Sequence, residues 1–249
     1  MSFFVSTRPL IFAHRGGCAL GPENTVKAFD RGIATGADGL ELDVHLSADG
    51  VVVVHHDETL DRTTNATGPI AARTAVELGR IDAGEGEAIP VLADLLHRYP
   101  ETPIIIEMKV DSAAMGEAVA RVVRQAGAAG HVCLAGFGSR SVRAARALLP
   151  DTASSASLSE VRMALYRSWI GWPARGLPYG VVQVPEASHG HRIVSPRFIR
   201  HVHASGVKVQ VWTVDDEADM RRLLDWGVDA LISNRPDLAV RVRNERFPK

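Results

Sequence analysis

Eight short apolar runs alternate with longer stretches of helical period along this chain, and few folds accommodate that order. The runs fall at residues 10–13, 39–57, 103–108, 132–135, 152–156, 180–184, 207–213 and 230–232. Helices are predicted from Pro22 through Val26, Phe29 and Ile33 to a stop at Gly36, and over 91–99, 112–126, 140–149, 159–169, 196–204 and 216–226. Ser157 or Ser159 is placed to cap the helix at 159–169, and Gly227 to end the one at 216–226. Eight strands, the first seven each followed by a predicted helix and none set apart by a linker, predict an α/β chain folded as a (β/α)8 TIM barrel. With 249 residues, 46% of them hydrophobic, the chain has material for one large core, so a single domain over 1–249 is expected. A polar segment at about 58–88, rich in Thr, Gly and Asp, reads as a small insertion after the second strand, with Leu60 to Thr64 as loop.

The formal net charge of −1 gives the whole chain no electrostatic footprint for nucleic acid or for an anionic membrane. No run approaches the roughly 18 apolar residues of a membrane span, so no stable membrane insertion is expected. The N-terminal apolar run is too short for a signal peptide of roughly 7–15 core residues, which points to a cytoplasmic protein. Cys18 and Cys133 form no Cys-x-x-Cys and read as two free thiols.

The second run carries the most chemistry. In an extended strand Glu41 and Asp43 point one way while Leu40, Leu42 and Val44 point the other. Two carboxylates on an inward face need a cation, and carboxylate oxygens suit a hard ion such as Mg²⁺ or Ca²⁺ better than zinc. An Ala-Asp-Gly turn then returns the chain through residues 51–54 to His55, His56 and Asp57. Alternation separates His55, read as structural, from His56. His45 is in phase with the carboxylates but is expected past the strand end, in solvent.

Active sites of such barrels gather at the carboxyl ends of the strands. The chemically awkward residues fall there: His14 and Arg15, Glu41 and Asp43, Glu107 and Lys109, Trp212, and Ser233 with Asn234. Lys109 is either a phosphate contact or an ion-pair partner of Glu107 or Asp43. Trp212 is either core or a platform for substrate. Residues 169–173, Trp-Ile-Gly-Trp-Pro, read as a packed helix end rather than a lid, and His189, His191, His201 and His203 as solvated positions.

These segments resemble the glycerophosphodiester phosphodiesterase family. The matching pieces are His14-Arg15-Gly16, Pro22-Glu23-Asn24-Thr25, Glu41-Leu42-Asp43-Val44, Val54-His55-His56-Asp57, Leu60-Asp61-Arg62-Thr63-Thr64, Ile106-Glu107-Met108-Lys109 and Val211-Trp212-Thr213-Val214. They occur in family order over nearly the whole chain. The resemblance implies a barrel hydrolase that cuts glycerophosphodiesters, the deacylated phospholipid headgroups, into glycerol 3-phosphate and an alcohol. It implies a divalent cation on Glu41, Asp43 and Glu107, catalysis by His14 and His56, and phosphate contacts from Arg15 and Lys109. One imidazole would take a proton from water or from the substrate's own hydroxyl, and the other would give one to the leaving oxygen.

Two positions depart from the family pattern. Ile105 stands where Asn is usual, removing a polar group beneath the metal site, and Asn234 follows Ser233 where Asp follows Thr. The insertion, which in relatives helps hold the glycerol, is short. Rival readings are a lysophospholipase D-like or phosphoinositide phospholipase C-like enzyme, favoured by apolar surface near the mouth, and a barrel that binds a phosphorylated ligand without turnover.

Overall fold

The computed structural model describes residue 3 and residues 6–188 and 190–248. Its eight parallel barrel strands are β1 (Leu10–His14), β2 (Gly39–Leu46), β4 (Ile104–Met108), β5 (Val132–Ala135), β6 (Ala153–Ser154), β7 (Val181–Pro185), β10 (Lys208–Trp212) and β11 (Ala230–Ser233). They are hydrogen-bonded in the order β6-β5-β4-β2-β1-β11-β10-β7. A single bridge, Ser155 to Val181, brings β6 to β7. The barrel is therefore nearly closed, with its weakest seam at the two-residue β6, where the sequence predicts five extended residues.

Helices α1 (Val26–Ala34), α3 (Leu92–Arg98), α4 (Ala113–Gln125), α5 (Ser139–Leu148), α6 (Leu158–Ile170), α7 (Pro196–Ala204), α8 (Glu217–Trp226) and α9 (Pro236–Arg246) follow the strands. Six of the predicted helices are found within one residue of their expected bounds, and α1 begins four residues after Pro22, because Thr25 is its cap. Thr25 caps α1 through Ala28 N, and Ser157, not Ser159, opens α6, its backbone N–H donating to Glu160 at 2.7 Å. Helix α9 lies beyond the last predicted element, because alternating Arg and apolar residues give it almost no amphipathic signal.

The second strand turns back through β3 (Val52–Val54), antiparallel to it. The insertion that follows contains a short turn of 3-10 helix, Ile70–Ala72, and the one-turn α2 (Ala75–Leu78). Leu60, Ile70, Leu78, Ile81 and Ile89 close a small core of their own with Val53. These residues are too widely spaced to show a period, so the segment reads as featureless in sequence. A second hairpin, β8 (Ala187–Ser188) with β9 (His191–Arg192), projects after β7.

Strand alternation sorts the residues between two cores. Leu40, Leu42, Ile104, Ile106 and Leu134 point outward to the helices, while Phe12, Ile105, Cys133, Ala230 and Ile232 fill the barrel. The inward phase then runs upward from Phe12 to His14, from Ile105 to Glu107 and from Gln210 to Trp212, delivering polar groups to the mouth. At the opposite end, the fully buried Arg243 of α9 pairs with Asp38, whose carboxylate also accepts from Ile11 N at 2.8 Å. Asp38→Ala strands that guanidinium, so urea unfolding should show a loss of about 3–5 kcal/mol; an unchanged midpoint would show that the pair does not hold α9 to the barrel floor.

Both cysteines are free, Cys18 half-buried and Cys133 buried. No helix among the described residues is long and apolar enough to cross a membrane.

Candidate active site

Register brings the three acids together. Glu107 of β4 is the direct cross-strand partner of Asp43 on β2, and Glu41 pairs with His14 on one side and Ile105 on the other. Ligating oxygens of Glu41, Asp43 and Glu107 lie within 4.8 Å of one another. Glu41 and Asp43 are buried and Glu107 is half-buried. Burial, reinforced by the charges of Asp43 and Glu107, pushes the Glu41 carboxyl well above the usual carboxylate range. Burial and Asp43 also raise Glu107.

Two cations stand against this cluster. Lys109 Nζ reaches Glu107 Oε1 at 3.0 Å and Asp43 Oδ1 at 3.4 Å, so the ion-pair partner expected for it is both acids at once. Burial works against its charge, but Glu107 and Asp43 outweigh it and raise the Lys109 pKa. Arg15 sits at a positive φ of 51°, donates from its backbone N to Glu41 Oε2 at 3.1 Å, and places Nε 3.3 Å from Asp43 Oδ2. Gly16, at φ 85°, permits this turn: a Cβ there would lie 2.7 Å from the backbone of Ala28. Three carboxylates facing two cations, all oxygen donors, fit a hard divalent ion.

Both imidazoles are held from behind. His56 Nδ1 lies 2.5 Å from Asp57 Oδ1, and Arg62 anchors the far side of that carboxylate at 2.6 Å. The Arg62 hydrogen bond, then His56, holds the Asp57 carboxyl far below the usual range, so it accepts and His56 Nδ1 donates. His14 Nδ1 lies 2.6 Å from Asn234 Oδ1. Asn234 Nδ2 donates to Asp215 Oδ2 at 2.7 Å, which turns its carbonyl toward His14. In both rings Nε2 faces the acids' side of the pocket, that of His14 lying 3.8 Å from Glu41 Oε2, beyond hydrogen-bond distance and open to a substrate. Burial pushes the His14 pKa down.

Asn234, which had no evident role in sequence, is thus the group that orients His14. Asp215 behind it was not foreseen, nor was Asn24, whose Nδ2 donates to Asp43 Oδ2 at 3.0 Å, nor Glu23, which bridges Arg15 and Arg62. The Pro22-Glu23-Asn24-Thr25 motif was the available signal for the last two. Ile105 lies beneath the acids, buried and apolar. His55 is structural as expected, buried with Nε2 3.2 Å from Thr59 O.

Two expectations are overturned. His45 is buried rather than solvated, its Nε2 3.1 Å from His56 O, because β2 runs on to Leu46 and the returning hairpin covers it. Residues 169–172 are not packed: Trp169 is 64% and Trp172 71% exposed, although Arg197 of α7 donates to the backbone carbonyls of Ser168 and Trp169 at that helix end. His203 pairs with Asp229 at 2.7 Å on the surface, His191 is exposed and His201 half-buried, and His189 lies outside the described residues.

His14, Arg15, Glu41, Asp43, His56, Glu107, Lys109 and Trp212 all line one cavity of about 260 Å³ at the barrel mouth. Trp212 is half-buried and meets Phe137 edge-on, ring centroids 5.7 Å apart. Acids, imidazoles and cations converging above a parallel barrel define a class, the barrel enzymes that work on phosphate esters. The family model described as the glycerophosphoryl diester phosphodiesterase family matches residues 14–238. A glycerophosphodiester phosphodiesterase of Caldanaerobacter subterraneus is 30% identical over 250 residues, 94% of this chain and 97% of that protein. The crystal structure of a glycerophosphodiester phosphodiesterase from Agrobacterium tumefaciens is 30% identical, with a TM-score of 0.78 over 93% of this chain and 99% of that one. A phosphodiesterase of Oleispira antarctica, solved with the product sn-glycerol-3-phosphate, shares the fold at 24% identity and a TM-score of 0.78 over 94% and 96%. The chain belongs to the glycerophosphoryl diester phosphodiesterase family.

Proposed function

We propose that this enzyme hydrolyses glycerophosphodiesters such as glycerophosphocholine or glycerophosphoethanolamine to glycerol 3-phosphate and the headgroup alcohol. Glu41, Asp43 and Glu107 hold Mg²⁺ or Ca²⁺, Arg15 and Lys109 contact the phosphate, Trp212 walls the substrate, and His14 and His56 move the protons. The observation that carries the reading is the pair of imidazoles, each fixed through Nδ1 by its own partner and both lining the pocket that holds the acids. The glycerol 3-phosphate bound by the Oleispira antarctica relative matches the expected product.

A divalent ion held by Glu41, Asp43 and Glu107 would supply charge stabilisation to the phosphate. Arg15 and Lys109 add positive charge from two further directions, each tied to Asp43 and so held in place before substrate arrives. At Nε2 one histidine accepts the proton of the attacking hydroxyl, and at Nε2 of the other a proton waits for the departing alcohol oxygen. Because Asn234 and Asp57 both accept from Nδ1–H, the ring acting as base is neutral with its lone pair at Nε2, and the ring acting as acid is an imidazolium carrying its second proton there.

Release of glycerol 3-phosphate from glycerophosphocholine, followed with chelator present and then with Mg²⁺ or Ca²⁺ restored, tests the proposal. Turnover should vanish with chelation and return with the ion. Full turnover in chelator would refute the metal assignment, and ligand binding without product would favour a non-catalytic barrel.

A further inference from the structure

A file of alternating charges runs behind the pocket from the acid cluster to the second imidazole. Arg15 Nε stands 3.3 Å from Asp43 Oδ2, and its Nη1 donates to Glu23 Oε1 at 3.0 Å. Arg62 Nη2 donates to that same Glu23 oxygen at 2.7 Å, and Nη1 to Oε2 at 2.9 Å. The other edge of the Arg62 guanidinium grips Asp57, Nε to Oδ2 at 2.6 Å and Nη2 to Oδ1 at 3.1 Å. Asp57 Oδ1 in turn lies 2.5 Å from His56 Nδ1. One planar cation thus bridges two carboxylates, a geometry that Arg allows and Lys does not.

The two halves of this file come from different parts of the chain. Arg15 and Glu23 belong to the stretch between β1 and α1, where Asn24 N donates to Arg15 O at 2.9 Å. Arg62 belongs to the insertion, on a turn that the fully buried Leu60 roots in the insertion's own small core and that Asp61 closes by accepting from Gly68 N at 3.0 Å. Burial raises the Glu23 carboxyl, but the hydrogen bond from Arg62 and the charge of Arg15 outweigh it and hold the group below its ordinary range. Glu23 is therefore ionised and tied to both cations at once. Neither Glu23 nor Arg62 lines the catalytic pocket; both stand behind residues that do. Asp57 is the one hydrogen-bond partner of the His56 ring among the described residues, so whatever fixes Asp57 fixes the aim of that ring.

We infer, resting on the phosphodiesterase reading above, that Glu23 and Arg62 are positioning residues for the displacement at phosphorus. Arg62 sets the aim of His56 through Asp57, Glu23 locks Arg62 to the Arg15 that holds the phosphate, and presenting Arg62 is what the insertion does for the site. An imidazole misplaced by an ångström loses on the order of a hundredfold in rate. Loss of Arg62 should then cost kcat, whereas loss of Glu23, which also steadies Arg15, should cost kcat and KM together.

Steady-state turnover of glycerophosphocholine by the full chain, with Mg²⁺ or Ca²⁺ present, tests this. Arg62→Ala should lower kcat by about 10–100-fold with KM within about twofold of the parent's, and Arg62→Lys should recover little of the loss. Guanidinium ion at a non-denaturing concentration should restore part of the kcat of Arg62→Ala, since the vacated place is on a side chain 49% exposed. Glu23→Gln should lower kcat and raise KM. In a His56→Ala background, Arg62→Ala should change kcat by less than about twofold. Should Arg62→Ala melt below the assay temperature, Arg62→Gln, which keeps the stem and a hydrogen-bonding head, carries the same comparisons. Parental kcat in Arg62→Ala or in Arg62→Lys would overturn the inference, as would a loss equally large with and without His56, which would make Arg62 a prop of the fold. Absence of turnover by the parent would instead sink the phosphodiesterase reading.

Discussion

Removing either imidazole, by His14→Ala or His56→Ala, is expected to lower kcat on glycerophosphocholine by about 10²–10⁴-fold. Proton transfer at the attacking and leaving oxygens has no substitute among the pocket residues, since Lys109 is committed to two carboxylates. The double variant should fall little further than the worse single one, because the two groups act on one displacement. Divalent-ion binding, read by calorimetry, should survive in all three, as neither ring belongs to the acid cluster. A variant that keeps its turnover would remove that histidine from the mechanism. Milder changes behind the rings should follow the same logic, with Asn234→Ala lowering kcat more than it raises KM through loss of the preferred tautomer.

The acid cluster leads to a prediction of opposite sign in stability and activity. Without an ion, Glu41 is forced to ionise in a buried place beside Asp43 and Glu107, and its carboxyl titrates well above its ordinary value of 4.5. A group shifted in that direction contributes stability that is fully present below the unfolded value and is lost as pH rises through the folded one. Glu41→Gln should therefore raise the melting temperature of the metal-free protein at neutral pH, and its advantage over the parent should shrink as the pH falls toward 4.5. Adding Mg²⁺ or Ca²⁺ at a hundred times its Kd should stabilise the parent by about 2.7 kcal/mol, roughly 5–10 °C for a chain of this size. The variant should show little of that gain and lose its turnover. If Glu41→Gln were instead less stable than the parent without ion and gained as much with it, the carboxylate would be structural rather than a ligand.

Much of this arrangement was legible because a barrel strand has a period of two. Once Glu41 and Asp43 were placed on one face, and Glu107 at the matching height of the next strand, the register did the rest. The ends of the strands were equally readable from His14 and Trp212. What escaped were contacts made across the barrel by residues with no local signature. Asp215 follows the seventh barrel strand, Asn234 follows the eighth and His14 ends the first, so their relay exists only after closure. His45 was placed in solvent because nothing in the sequence marks the backbone of His56 as its lid. The exposure of Trp169 and Trp172 was missed for the opposite reason: apolar residues at a helix end ordinarily pack, and nothing in the sequence marks the face of α6 that stays open to solvent.

Soaking crystals in Mn²⁺ together with glycerol 3-phosphate, and locating the ion by its anomalous signal, bears most directly on the site. The ion should sit between Glu41, Asp43 and Glu107 with a phosphate oxygen on it, and the Nε2 atoms of His14 and His56 should approach the phosphorus from opposite sides. An ion bound away from those carboxylates, or both imidazoles on the same side of the phosphate, would contradict the account.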